Sequence, residues 1–191
     1  MSEQRPAPFD QACEGLARCI AATGVLLWRR QIHMPRQMVG TWISFADGTR
    51  ARVYRETVTS RSHSVPCLLV VRFRLRWVRG WGHAAFRWES LLNTPLFVGF
   101  PGFVSKLWLT ADERGNYRGL YEWDGEALAE HYARCLWWVL ALVSTPGSIR
   151  YQVVTGTTRR AMLDRVGGAG DAGADGDAWW LVSGAGVPAG E

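Results

Sequence analysis

Between Gly99 and Tyr132 the chain reads GFPGFVSKLWLTADERGNYRGLYEWDGEALAEHY, and this order of local signals restricts the fold more than any other stretch. Phe103 to Leu109 and Tyr117 to Trp123 have the aromatic, alternating character of half-buried strands, and Asp112-Glu113-Arg114-Gly115-Asn116 is a polar turn between them. The run predicts an antiparallel hairpin. Asp124 stands directly before Gly125-Glu126-Ala127-Leu128, where its carboxylate can accept from the free amides of a helix first turn and Glu126 adds favourable negative charge. The hairpin is therefore expected to lead straight into a helix.

The flanking segments extend this pattern. In Phe9 to Arg30 the residues Phe9, Cys13, Leu16, Ile20 and Leu27 recur at helical spacing, so an amphipathic helix packed on the protein's own core is expected, ended by Pro35. Residues 39–58 hold two strand-like runs joined at Asp47-Gly48, the signal for a tight hairpin turn. That hairpin could extend the main sheet, cover its open face or form a lid. Cys67 to Trp77 alternates Leu69, Val71, Phe73 and Leu75 on one face with Arg72, Arg74 and Arg76 on the other. Ala84 to Thr94 reads as a helix stopped by Pro95, Gly125 to about Val143 as a second, and Ile149 to Val154 as a last strand. The resulting order predicts an α+β fold: a ferredoxin-like βαββαβ core over residues 65–155 with an added N-terminal helix (9–30) and β-hairpin (39–58). Residues 1–166 would form a single domain, and the Gly/Ala/Asp-rich stretch 167–191 a flexible tail, interrupted by Trp179-Trp180-Leu181-Val182.

Composition bounds the function class. In 191 residues, 48% are hydrophobic and 11 are Trp, which excludes a disordered chain, and no apolar run reaches the ~18 residues of a membrane span. No leader-like segment is visible, so a cytoplasmic location is expected. Cys13, Cys19, Cys67 and Cys135 lack metal-ligand or redox spacing and read as packing residues. Net charge is +5, carried by arginine, because Lys106 is the one lysine. That bias, with abundant Gly and Ala, reflects a GC-rich, actinomycete-like genome. No phosphate-binding glycine loop, nucleophile elbow or haem-attachment motif is present, so neither cofactor nor metal is expected. Arg118-Gly119 followed by aromatics echoes an RNA-recognition strand but lacks its second small residue and spaced aromatic pair, so nucleic-acid binding is not expected.

Pro101-Gly102-Phe103 at a strand entry, and Trp123 followed by Glu126-Ala127-Leu128 and His131, resemble the second half of the dimeric α+β barrel proteins, the antibiotic-biosynthesis-monooxygenase and YdhR-like group, over roughly residues 65–154. The resemblance implies a homodimer enclosing an apolar pocket between sheet and helices. It further implies a cofactor-independent enzyme of secondary metabolism that cyclises or dehydrates an enolisable polyketide-type substrate, or a cofactor-free monooxygenase of the same substrate. A non-catalytic ligand-binding protein is the third possibility. Strand alternation places Phe73, Phe103, Ser105, Tyr117, Tyr121 and Tyr151 on the pocket side, and Lys106, Trp108, Arg118 and Glu122 on the opposite, cationic side. His131 is the candidate base, Tyr121 or Tyr117 the donor to an enolate, and His83 and Glu89 secondary catalytic candidates. Phe73, Phe103, Ser105, Trp88 and Tyr151 would line the substrate.

Overall fold

The computed structural model describes residues 5–76, 94–164 and 178–186. Helix α1 spans Phe9–Trp28, and strands β1 to β4 span Ile32–His33, Trp42–Phe45, Arg50–Thr59 and Pro66–Arg74. A 3₁₀ turn at Thr94–Leu96 precedes β5 (Phe103–Leu109) and β6 (Asn116–Asp124), followed by α2 (Glu126–Val143), β7 (Arg150–Thr155), α3 (Arg159–Asp164) and β8 (Val182–Gly186). The helix expected over 84–94 falls almost wholly outside the described residues.

The strands form one eight-stranded sheet in the order β7-β4-β6-β5-β3-β2-β8, with β1 on the edge of β3, and every pairing is antiparallel. This corrects the expected ferredoxin-like βαββαβ core with an appended hairpin. The 39–58 hairpin is no appendage, because β3 pairs with β5 along Val53 to Val58 and carries the sheet on through β2 to β8. The result is a single curled, half-barrel-like antiparallel sheet. Part of the glycine-rich end of the chain belongs to it too: Trp179 is buried, and Val182–Gly186 closes the sheet edge against β2 instead of trailing as free chain.

Both faces of the curled sheet are covered. On one lie α1 and α2, packed over Cys67, Leu69, Val71, Trp108, Tyr121 and Trp123. On the other, Leu68, Val70, Leu107 and Leu120 meet Ile43, Phe45, Met162, Trp179 and Val182. The cationic face is thus enclosed, in part by the 39–58 hairpin, whose covering of the sheet was one of the roles expected for it. Arg118 is fully buried, paired with Asp112 at 2.8 Å and Asp47 at 2.5 Å and lying over the Phe45 ring, while Arg72 reaches Asp47 and stacks on Trp179. Burial of an arginine is tolerable here because two carboxylates and the Thr49 hydroxyl accept from its two terminal nitrogens.

Helix α1 buries a different stripe from the one its large residues suggest. Ala12, Cys19, Thr23 and Leu26 face inward, whereas Phe9, Ile20 and Leu27 are more than half exposed or close to it. Small residues win because the backbones come close: a Cβ on Gly99 would sit 1.9 Å from the Cys19 carbonyl oxygen. The expected Asp124 cap is also absent. Asp124 instead accepts from the Ser64 and Val65 amides, tying the β3–β4 loop to the end of β6, and α2 starts after Gly125 at φ +111°. Among the described residues no helix is long and apolar enough to cross a membrane.

Candidate functional site

Two β-bulges set the site. In the β5–β6 ladder Phe103 pairs with Trp123, but the next pairs are Ser105 with Glu122 and Lys106 with Tyr121, so Val104 is an extra residue. A one-residue slip turns every following side chain to the other face. Lys106 and Trp108 therefore point toward the helices, and Ser105 and Leu107 away from them. A second bulge in β3 between Val53 and Arg55 inserts Tyr54 beside the same region. Strict alternation had placed Lys106 and Trp108 on the far face and Ser105 on the pocket side, the reverse of what the bulge produces.

The consequence is a cavity of about 330 Å³ between the sheet and α2, at the small end of the ~300–1,000 Å³ range of small-molecule sites. Its sheet wall is Tyr54, Phe73, Lys106, Trp108, Tyr117 and Tyr121. Tyr132, Leu136, Val139 and Leu140 of α2 face them, and Phe97 closes one end. Gly119 is essential to this wall, because the Tyr121 ring folds back over it: a Cβ there would lie 2.6 Å from Tyr121 Cε2.

Lys106 is the chemical centre. Its side chain is 5% exposed, and its Nζ stands 3.1 Å from the Trp108 ring centroid and 4.5 Å from those of Phe97 and Tyr121. Among the described residues it has neither a carboxylate partner nor a hydrogen-bond acceptor. The Arg55 guanidinium lies over the same Trp108 ring at 5.0 Å, anchored to Thr94 Oγ1 at 2.5 Å. Burial first, and the Arg55 charge second, hold the Lys106 amine well below the usual lysine range. Aromatic faces favour an ammonium by roughly 2 kcal/mol when desolvated. The cost of burying an unpaired ion is several kcal/mol, so the balance moves toward the neutral amine.

Two phenols complete the polar inventory. The Tyr121 and Tyr132 rings stand 5.5 Å apart, and burial pushes both phenols up, so each stays protonated as a hydrogen-bond donor. Tyr132 Oη is buried and interacts with the Tyr121 hydroxyl, though at a geometry short of a full hydrogen bond.

Of the residues singled out from sequence, Tyr121, Tyr117 and Phe73 line the cavity. His131 does not. It sits on the exposed flank of α2, with Nε2 3.7 Å from Cys135 Sγ and its ring against Phe100. Ser105 lies on the far face, donating to Glu122 at 3.0 Å. Phe103 is a packing residue between Phe97 and Trp123, and Tyr151 packs on Trp137, both away from the cavity wall. His83, Trp88 and Glu89 lie outside the described residues. Lys106 was the missed residue. Its signal was available: a lone lysine in a strand of otherwise apolar residues and one serine. No family model matches the chain, and neither a curated protein nor a solved structure matches it.

Proposed function

We propose that this protein is a cofactor-independent acid/base catalyst acting on a mostly apolar, enolisable carbonyl compound bound in the aromatic cavity. One observation carries the reading: a buried amine, without a carboxylate beside it among the described residues, shares an apolar cavity with two protonated phenols. An amine whose burial favours the neutral form is a competent general base, and a phenol held in its protonated form can donate to the oxygen of a developing enolate. In this role Lys106 takes the α-proton, replacing His131, while Tyr121 or Tyr132 stabilises the enolate. The aromatic walls exclude water and select flat, apolar rings. Cyclisation or dehydration of a polyketide-type substrate is the chemical range that the resemblance of residues 65–154 implies, and an enolate is the shared first intermediate of both.

The test uses 1-tetralone, a bicyclic enolisable ketone sized for the cavity. In deuterated buffer without additive, wild-type protein should accelerate exchange at the α-carbon, read by proton NMR, and Lys106→Met should abolish the acceleration. Equal exchange with both proteins overturns the reading. Binding without exchange, followed by tryptophan fluorescence, would identify a ligand-binding protein instead, which the same apolar walls suit.

A further inference from the structure

A buried amine beside protonated donors can do more than move a proton. We propose that Lys106 condenses with aldehydes that enter the aromatic cavity, holding them covalently as an imine. The inference rests on the reading that the cavity takes apolar carbonyl compounds, and it adds a covalent activity to the same wall.

The geometry supplies each requirement of the condensation. Nucleophilic attack needs a free lone pair: among the described residues no donor hydrogen-bonds to Lys106 Nζ, and no carboxylate stands beside it to favour the ammonium, which has none. It also needs the unprotonated form, which burial and the Arg55 charge favour. Flat aromatic surfaces on Trp108, Phe97 and Tyr121 surround the nitrogen, so an aryl aldehyde stacked on them presents its carbonyl carbon to the amine. The attack forms the N–C bond, and the carbonyl oxygen takes up a proton from the nitrogen to give a carbinolamine. A phenol of Tyr121 or Tyr132 then protonates the departing hydroxyl, the C–O bond breaks, and water leaves as the nitrogen lone pair forms C=N. The iminium returns its proton to the phenolate, so the net change is aldehyde plus amine to imine plus water. The low-water, aromatic cavity disfavours the reverse hydrolysis.

An aldehyde is favoured over a ketone at this step, because Lys106 Nζ lies only 3.1 Å from the Trp108 ring centroid and has little room for a second substituent at the carbon under attack. Ketones would bind and exchange protons, whereas aldehydes would be captured.

The chain is well suited to the measurement, since Lys106 is its one lysine and the α-amino group the one other primary amine in the sequence. The full chain is incubated with 2-naphthaldehyde and sodium cyanoborohydride near neutral pH, and the adduct is located by peptide mass mapping. The expected result is a stable secondary amine at Lys106, formed at least tenfold faster than at the α-amino group and suppressed by excess 2-methylnaphthalene, which fits the cavity but has no carbonyl. Lys106→Met should form no internal adduct while still quenching its tryptophan fluorescence on binding 2-naphthaldehyde. Should the mutant fold poorly, suppression of the wild-type adduct by 2-methylnaphthalene carries the same conclusion. Binding of 2-naphthaldehyde with adduct only at the α-amino group overturns the imine and leaves the cavity reading standing. Absence of any binding overturns both.

Discussion

Lys106→Met is the most informative single perturbation, because it converts a buried amine into an apolar side chain of similar length and its effect on stability depends on pH in a way that no packing change can imitate. The folded-state value of Lys106 is depressed by burial and by Arg55 below the ordinary lysine value of 10.5. Above 10.5 the amine is neutral whether folded or unfolded, and the group's contribution to stability is fully present. As the pH falls into the window between 10.5 and the depressed value, the unfolded chain binds a proton that the folded chain refuses, and stability is lost. The slope in the middle of that window is about 1.4 kcal/mol per pH unit. Through that window the advantage of the Met variant over wild type should therefore shrink as the pH rises toward 10.5, by up to about 1.4 kcal/mol for each pH unit. The assay is urea denaturation of both proteins at several pH values, and the difference between them cancels every other titrating group. A residual advantage of ~1–3 kcal/mol for Met at the highest pH would measure the cost of burying even the neutral amine without a hydrogen bond. A difference that stays flat across the series would mean that Lys106 is charged in the folded protein, held so by its aromatic neighbours, and both its base role and its nucleophilic role would fall.

Other consequences are simpler. Asp112→Ala strips a carboxylate from Arg118, where both side chains are fully buried, and should cost roughly 3–5 kcal/mol in chemical denaturation; a loss under ~1 kcal/mol would show that Asp47 alone satisfies the guanidinium. Gly119→Ala places a methyl 2.6 Å from the Tyr121 ring, so it should cost ~1–3 kcal/mol and weaken binding of a naphthalene probe, both absent if the ring has another place to go. His131→Ala should leave tetralone exchange unchanged within twofold, and a larger fall would return that histidine to the chemistry.

Local signals in the sequence were enough for most of the elements. The hairpin of β5 and β6, the two long helices and the β2–β3 hairpin all follow from alternation, helical spacing and turn residues, each of which acts over a few neighbouring positions. Their arrangement was decided elsewhere. Nothing within the 39–58 hairpin says that β3 will pair with β5 and not stand apart, because strand pairing depends on which edge is free once the other strands have met. The buried stripe of α1 was likewise chosen by how closely Gly99 lets two backbones approach, not by where the large apolar residues lie. The docking of Trp179 depended on Arg72 and on a hydrophobic patch that includes Ile43, Phe45, Leu68 and Val70, all more than a hundred residues distant in the chain.

The site shows the division most sharply. Its residue types, an aromatic-rich pair of strands with a single lysine and several tyrosines, were determined by the sequence alone. Which of them meet was not, because one extra residue at Val104 reverses the face of everything after it. A bulge leaves almost no local signature: Val104 is an ordinary strand former, and it is squeezed out of register only because Phe103 must pair with Trp123 while Lys106 pairs with Tyr121. Tertiary pairing thus carried the one lysine from the face expected to be cationic into an apolar cavity, where the loss of solvent, a property of the assembled fold and of no residue by itself, shifts the amine toward its neutral form.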